Sequence, residues 1–414
     1  MTKEDYGTTY YKNRNIPMHQ KFINAVSTQL ISILSYWKNN TKDEEHGGFH
    51  GRIDHNNKVI EKADKSVILN TRILWTFSAA SNYYGDNRYG QECKRAYNFL
   101  KSNFRDTQFD GVFWQLNYLG KPTNTRKQVY AQAFTIYALA EYFKYCKKNE
   151  VLVWAMSLFN LLETKAYRPQ IGGYIEAFDE DWGPITDMRL SPKDINAPIT
   201  MNTHLHILEA YTTLYEVSKD KEVGAALARL IRLFHERFSS KNNHFKLFFS
   251  DQWKSLSTEA SFGHDIEAVW LMLHACDILG EKNLMEKTVQ LSLKVTDTFL
   301  EEALDKDFGV FNAMDLATSK MDTDKHWWPQ IEAVVGLIYN WKISGKDTQL
   351  DIAKKIWQFI DAKIIDRPLG EWYFRVDQKG IPYTDENKVG PWKCPYHNGR
   401  GCIQILRQLQ PSSV

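Results

Sequence analysis

No stretch of this chain approaches the roughly 20 consecutive apolar residues that a helix needs to cross a bilayer, so no membrane span is expected. Charge is nearly balanced, with 52 Lys and Arg against 50 Asp and Glu for a net +2. That balance leaves no basic footprint for nucleic acid and none for an anionic membrane surface. Cysteine is sparse: five residues, an odd number, and no C-x-x-C spacing, which argues against both a disulfide scaffold and a zinc ribbon. Cys394 and Cys402 flank His397, and both read as packing residues. No Pro/Gly/Ser-rich linker, charge block or low-complexity tract divides the 414 residues, so one domain covering residues 1–414 is expected. The opening segment MTKEDYGTTYYKNRNIPMHQ has no apolar core of a signal peptide, and a cytoplasmic location is expected. Nor is there a G-x-G-x-x-G, a Walker sequence or a G-x-S-x-G elbow, so nucleotide, phosphate and acyl-serine chemistries lack support.

Aromatic residues, by contrast, are plentiful: 14% of the chain, including 13 Trp. Carbohydrate clefts need such flat apolar faces carrying polar handles. They recur with a period. Arg72, Gln132, His206, Glu267, Glu332 and His397 each sit in a stretch of helical periodicity, roughly 60 to 75 residues apart. A short segment of Gly and aromatics with strand character precedes each one, at 47–54, 110–117, 172–178, 244–250, 308–314 and 370–376. A second, amphipathic helix separates each of these from the next connector, as in 90–104, 221–238 and 283–300. Helices such as NTRILWTFSAAS and YAQAFTIYALAEYF are apolar around most of their circumference, which suits an inner ring. The pattern predicts an all-α fold, an (α/α)6 barrel of six helix pairs, with hairpin connectors gathered at the end where the inner helices begin. An open solenoid is the rival arrangement. Its concave inner helices would face solvent and should be more polar than these.

Candidate chemistry lies at that end. In SFGHDIEAVW, residues 261–270, His264, Glu267 and Trp270 fall along one helical face, and HLHILEA, HWWPQIEA and PWKCPYHNGR repeat the theme with variations. His206, His264 and His397 stand near the starts of inner helices, and imidazole suits proton transfer near neutral pH. Glu267 and Glu332 fit either structural pairing with arginine or the orientation of those histidines. Arg72 sits on an otherwise apolar helix, where a guanidinium demands a partner, either a carboxylate or a ligand oxygen. The H-x-x-E pairs His206/Glu209 and His264/Glu267 have ligand-like spacing for a metal. The dense Asp/Cys set or H-E-x-x-H that would make that reading specific is missing, so no metal is expected.

The stretches KSVILNTRILWTFSAA, MNTHLHILEA, SFGHDIEAVWL, HWWPQIEA and GPWKCPYHNGR resemble those of the N-acylglucosamine 2-epimerase superfamily, in the same order, from about residue 15 to residue 410. The resemblance implies an (α/α)6 barrel and an isomerase without metal or cofactor. It would invert C2 of the reducing-end glucose of β-1,4-linked disaccharides, taking cellobiose to glucosyl-mannose and lactose to epilactose through ring opening and an enediolate. It further implies that Arg72 contacts substrate, that His264 and His397 form the acid/base pair, and that His206 assists at the reacting carbonyl. Tyr130, Asn202, Glu267, Trp270, Trp328, Glu332 and Trp392 would complete the site. The loop RLSPKDINAP resembles the segment that admits a second sugar, giving Asp194, with Ser191, a binding role. Partners expected on this reading are disaccharides, including mannobiose-type sugars, with the chain a monomer or weak dimer. Alternatives inside the superfamily are a mannose isomerase, which would protonate C1 instead, and an enzyme acting on an acetamido sugar. A glycoside hydrolase on the same barrel needs two carboxylates about 5–10 Å apart, and a non-catalytic sugar-binding barrel would need the tryptophans alone. Neither uses all three histidines.

Overall fold

Residues 19–410 are described by a computed structural model. Among them are twelve helices: α1 (Gln20–Asn40), α2 (Val67–Tyr84), α3 (Gly90–Phe99), α4 (Val129–Cys146), α5 (Asn149–Leu161), α6 (Met201–Ser218), α7 (Lys221–Leu233), α8 (Phe262–Leu279), α9 (Lys282–Glu302), α10 (Trp327–Ser344), α11 (Asp347–Phe359) and α12 (Tyr396–Leu409). Helices α3, α5, α7 and α11 each end in one π-helical turn, so the segments expected at 90–104 and 221–238 are helical throughout. Helix α2 is buried at every residue from Val67 to Ser81, and α4 from Val129 to Tyr142. Only a helix surrounded on all sides keeps so apolar a circumference. The even-numbered helices form that inner ring, each packed on the next, with α12 returning to α2. The odd-numbered helices wrap it. Helix α7 shows why, burying Val223, Leu227, Leu230 and Ile231 while Lys221 and Arg232 stay at the surface.

Backbone pairing closes the ring independently of the side chains. After each outer helix the chain makes a tight hairpin, pairing Lys42 with Phe49, Arg105 with Val112, Tyr167 with Tyr174, Ser239 with Phe245, Leu304 with Val310 and Ile365 with Trp372. The residues just before each inner helix then pair with the following repeat's connector: Lys65–Ser66 with Gln115–Leu116, Lys127–Gln128 with Ala177–Phe178, and Ile199–Thr200 with Phe248–Phe249. Glu259–Ser261 with Ala313–Asp315 and Lys325–His326 with Arg375–Val376 continue the series. A sixth pairing, Val389 with Ile53, joins the last repeat to the first. The architecture is therefore a closed (α/α)6 barrel rather than a solenoid.

The period reads correctly but its register slips twice. Arg72, His206, Glu267 and Glu332 are each the sixth residue of an inner helix, whereas Gln132 is the fourth of α4, where Phe134 takes the equivalent place, and His397 is the second of α12. Gln132 works on the connector instead. Its Oε1 accepts the Val112 N–H at 2.8 Å and its Nε2 donates to the Val112 carbonyl at 3.0 Å. Gln330 treats Val310 in the same way, at 2.7 and 2.8 Å. Gly111, beside this contact, has φ +82°, and a Cβ there would meet Gln132 Oε1 at 2.9 Å, so glycine is required. Replacing Gln132 with Ala would orphan a buried peptide N–H and C=O, and should cost about 2–3 kcal/mol. The check is the urea midpoint of Gln132→Ala, which should fall at unchanged m; an unaltered midpoint contradicts the assignment.

Candidate active site

Because every inner helix starts at the same end of the barrel, residues one turn apart lie in successive layers down its axis. The first turns contribute Tyr130, Asn202, His264, Trp328 and His397. The second turns contribute Arg72, Phe134, His206, Glu267, Glu332 and Arg400. Arg72, Tyr130, Asn202, His206, His264, Glu267, Trp328, Trp392 and His397 all line one cavity of about 580 Å³ at the connector end. His326, Trp327 and Phe374, which the sequence had not singled out, line it too. A neighbouring cavity of about 570 Å³ shares Asn202 and His264 with it and is walled by Arg189, Asp194, Ile195, Glu176 and Glu259. Asp194 Oδ2 accepts the Ser191 N–H at 2.9 Å, which shapes that loop, and burial lifts the Asp194 carboxyl above its ordinary range.

Each of the three histidines is tied back through Nδ1. His206 meets Glu209 at 3.0 Å, His264 meets Ser261 Oγ at 2.8 Å, and His397 meets Glu332 at 2.7 Å. Such anchoring fixes the ring and leaves Nε2 for the cavity. Trp328 lies between two of them, its ring centroid 4.8 Å from His264 and 5.4 Å from His397. Burial is the main influence on both, holding His264 down to about 4 and His397 well below its ordinary value, against the opposing pull of Glu267.

Trp270 and Glu332 were expected to touch substrate, but neither lines this cavity. They lie beneath it, where the Trp270 indole N–H donates to Glu332 at 3.0 Å. The centre of that lower layer is Arg400, a fully buried residue that the sequence reading overlooked although it stands on an apolar inner helix just as Arg72 does. Its guanidinium bonds Glu209, Glu267, Glu332 and the Tyr396 hydroxyl, and stacks on Trp270 and Tyr396 at 4.8 and 4.4 Å. Burial would raise the Glu209 carboxyl; Arg400 and His206 instead hold it far below the usual carboxylate range. Glu332 is shifted upward by burial, with Arg400 opposing.

Arg72 is treated differently. Among the described residues no carboxylate pairs with it. Its Nη2 donates to the Tyr130 hydroxyl at 2.7 Å and its Nη1 to Cys394 Sγ at 3.6 Å, while Phe134 and Tyr396 sandwich it at 4.4 and 4.7 Å. Its Nε, like Asn202 Oδ1, is buried without a partner. A cation kept dry and uncompensated at a cavity wall favours an anionic or strongly polar oxygen there. Glu267, Glu332 and His397 also stand close enough together for a metal ion. Arg400 already bonds both of those carboxylates, so a guanidinium holds the position of the cation. Of the H-x-x-E pairs, Glu267 turns from His264 to Arg400, and Glu209 bonds Arg400 as well as His206.

Removing the cation would leave three carboxylates buried around an empty centre. Arg400→Met should therefore destabilise the fold by at least about 3–5 kcal/mol. Thermal unfolding compared with wild type is the check, and an unchanged Tm would show that the cage is not what holds this layer together.

Residues 47–399 match the family model for N-acylglucosamine 2-epimerase. The chain is 42% identical to the cellobiose 2-epimerase of Bacteroides fragilis over 375 residues, covering 90% of this chain and 95% of that one. It is 38% identical to that of Ruminococcus albus, with the same coverage. The solved structure of cellobiose 2-epimerase from Bacillus thermoamylovorans superposes with a TM-score of 0.88 at 35% identity, covering 94% of this chain and all of that chain. A family 76 α-mannanase from Bacteroides thetaiotaomicron shares the fold alone, at TM-score 0.61 and 10% identity.

Proposed function

The chain belongs to the N-acylglucosamine 2-epimerase family, and from that premise we propose that it inverts C2 of the reducing-end glucose of cellobiose, and of β-1,4-linked disaccharides such as lactose, reversibly. One observation carries the reading. Two imidazoles anchored through Nδ1, His264 and His397, flank Trp328 in a single cavity that also contains an uncompensated guanidinium. An epimerisation needs two proton carriers addressing opposite faces of one carbon, and a cation where negative charge develops.

The steps follow from the chemistry of aldoses. Only the open-chain aldehyde has an acidic C2 proton, so ring opening comes first: a histidine takes the anomeric hydroxyl proton and returns one to O5. His397 then removes the C2 proton of the gluco form. Its charge is met by Glu332 at Nδ1, and Arg72 and His206 stabilise the oxygens of the enediolate. Rotation about C2–C3 turns the other face to His264, which supplies a proton and leaves the manno configuration. Trp328 and Trp392 cover the sugar faces and exclude water from the intermediate. The adjoining cavity, with Asp194 and Asn202, is where the second sugar of the disaccharide would sit.

A hydrolase on this barrel would need carboxylates free to act as acid and base. Glu209, Glu267 and Glu332 are all bound to Arg400, which favours the histidine chemistry. The test is NMR analysis of cellobiose and lactose after incubation, before and after dialysis against EDTA. Glucosyl-mannose and epilactose should appear in both cases, and His397→Ala should lower kcat by about a hundredfold or more in a folded protein. Fructosyl products alone, glucose release, or activity restored only by a divalent ion would each overturn the proposal.

A further inference from the structure

The anchors of the three histidines differ in kind. His206 and His397 are tied to carboxylates, Glu209 and Glu332, each of which can only accept a hydrogen bond from Nδ1–H. His264 is tied to a hydroxyl, Ser261 Oγ, which both donates and accepts. That hydroxyl has also left its ordinary task. Ser66, Thr200 and Ser261 are the residues preceding the first turn of α2, α6 and α8, the position at which a serine or threonine side chain usually accepts a backbone N–H of its own helix. Ser66 does so from Ile68 and Thr200 from Thr203, whereas Ser261 makes no such bond and turns to the imidazole instead. It is buried, and its backbone is fixed by the pairing with Ala313, so its position is set by the ladder and not by the helix.

We infer that Ser261 is a positioning residue for the proton-return step: its hydroxyl holds the His264 ring by Nδ1 through every protonation state, aiming Nε2 at C2 without adding a bonded negative charge. A carboxylate there would hold the ring only as Nδ1–H and would strengthen its grip on the proton that must be given up. With the neutral hydroxyl, the imidazolium donates the Nε2 proton to C2 of the enediolate and ends as neutral imidazole, its Nδ1–H still donating to Ser261. The proton lost from C2 has meanwhile gone to Nε2 of His397, so the two transfers balance. This inference rests on the two-histidine reading above.

The experiment compares wild type, Ser261→Ala and Ser261→Thr acting on cellobiose in deuterium oxide, with NMR of both epimers and thermal unfolding in parallel. Ser261→Ala should slow formation of the epimer by about ten- to a hundredfold, the scale of a misaimed catalytic group. Deuterium at C2 of the unepimerised cellobiose should persist, because His397 still removes and returns that proton, so the ratio of exchange to inversion rises. Tm should stay at the wild-type value, since no helix cap is lost, and Ser261→Thr should restore inversion. Unchanged inversion in Ser261→Ala overturns the inference. So does loss of exchange and inversion in equal proportion, or a lowered Tm that accounts for the deficit. If wild type itself places no deuterium at C2 of either sugar, the fault lies in the two-histidine reading and not in Ser261.

Discussion

Arg400 and the three carboxylates around it are what the rest of the site depends on. Burying a guanidinium and three carboxylates in a helical core is tolerable only when the charges are matched. Arg400 meets Glu209, Glu267 and Glu332 at once, and two of those carboxylates in turn hold His206 and His397. The cage therefore does more than neutralise itself. It fixes two imidazoles in one tautomer and orientation, and it prevents the carboxylates from acting as free acids or bases. Trp270, bonded to Glu332 and stacked on Arg400, seals it from below.

On the cavity wall the logic reverses. Arg72 has aromatic faces, a phenol and a thiol around it but no counter-charge among the described residues, and Asn202 keeps an amide oxygen unpaired. Charges matched by an opposite charge surround Arg400, and the guanidinium that no carboxylate meets, Arg72, lies along the cavity wall. That division is what a site built for a neutral sugar and a transient enediolate requires, because charge that develops during reaction meets a dipole or cation already in place. The backbone supplies the rigidity. Six connector pairings, closed by Val389 on Ile53, bring the first turns of the inner helices to one end of the barrel. Histidines from α6, α8 and α12 can then converge although they lie far apart in the chain.

Much of this was legible in the sequence because repetition makes a weak signal strong. A single apolar helix says little; six of them preceded by six Gly-aromatic connectors specify pairs, and their apolar circumference specifies an inner ring. Closure was argued from composition and is seen in the ladder. Arg72, His206, His264 and His397 were singled out because polar groups on apolar helices need a reason. The same reasoning applies to Arg400, in PWKCPYHNGR, a guanidinium on an apolar helix beside the more conspicuous His397. Trp270 shares a helical face with His264 and Glu267, yet periodicity cannot tell how far down the axis a side chain lies, and Glu332, level with Glu267, is turned to Arg400, Trp270 and His397 instead of the cavity. The slip at Gln132 has the same origin: a period counts residues per repeat, and where the helix begins within each repeat is decided by the connector's pairing. Ser261 was beyond sequence reasoning altogether, because a serine before a helix reads as a cap, and only the fold turns its hydroxyl to an imidazole.

The central claim is that C2 loses its proton to one imidazole and receives another from a second. Cellobiose carrying deuterium at C2 of its reducing glucose, turned over in ordinary water, tests it most directly. A primary isotope effect on the rate is expected, with glucosyl-mannose carrying hydrogen at C2 and the deuterium passing to solvent. Deuterium kept at C2 of the product, or moved to C1, would contradict it.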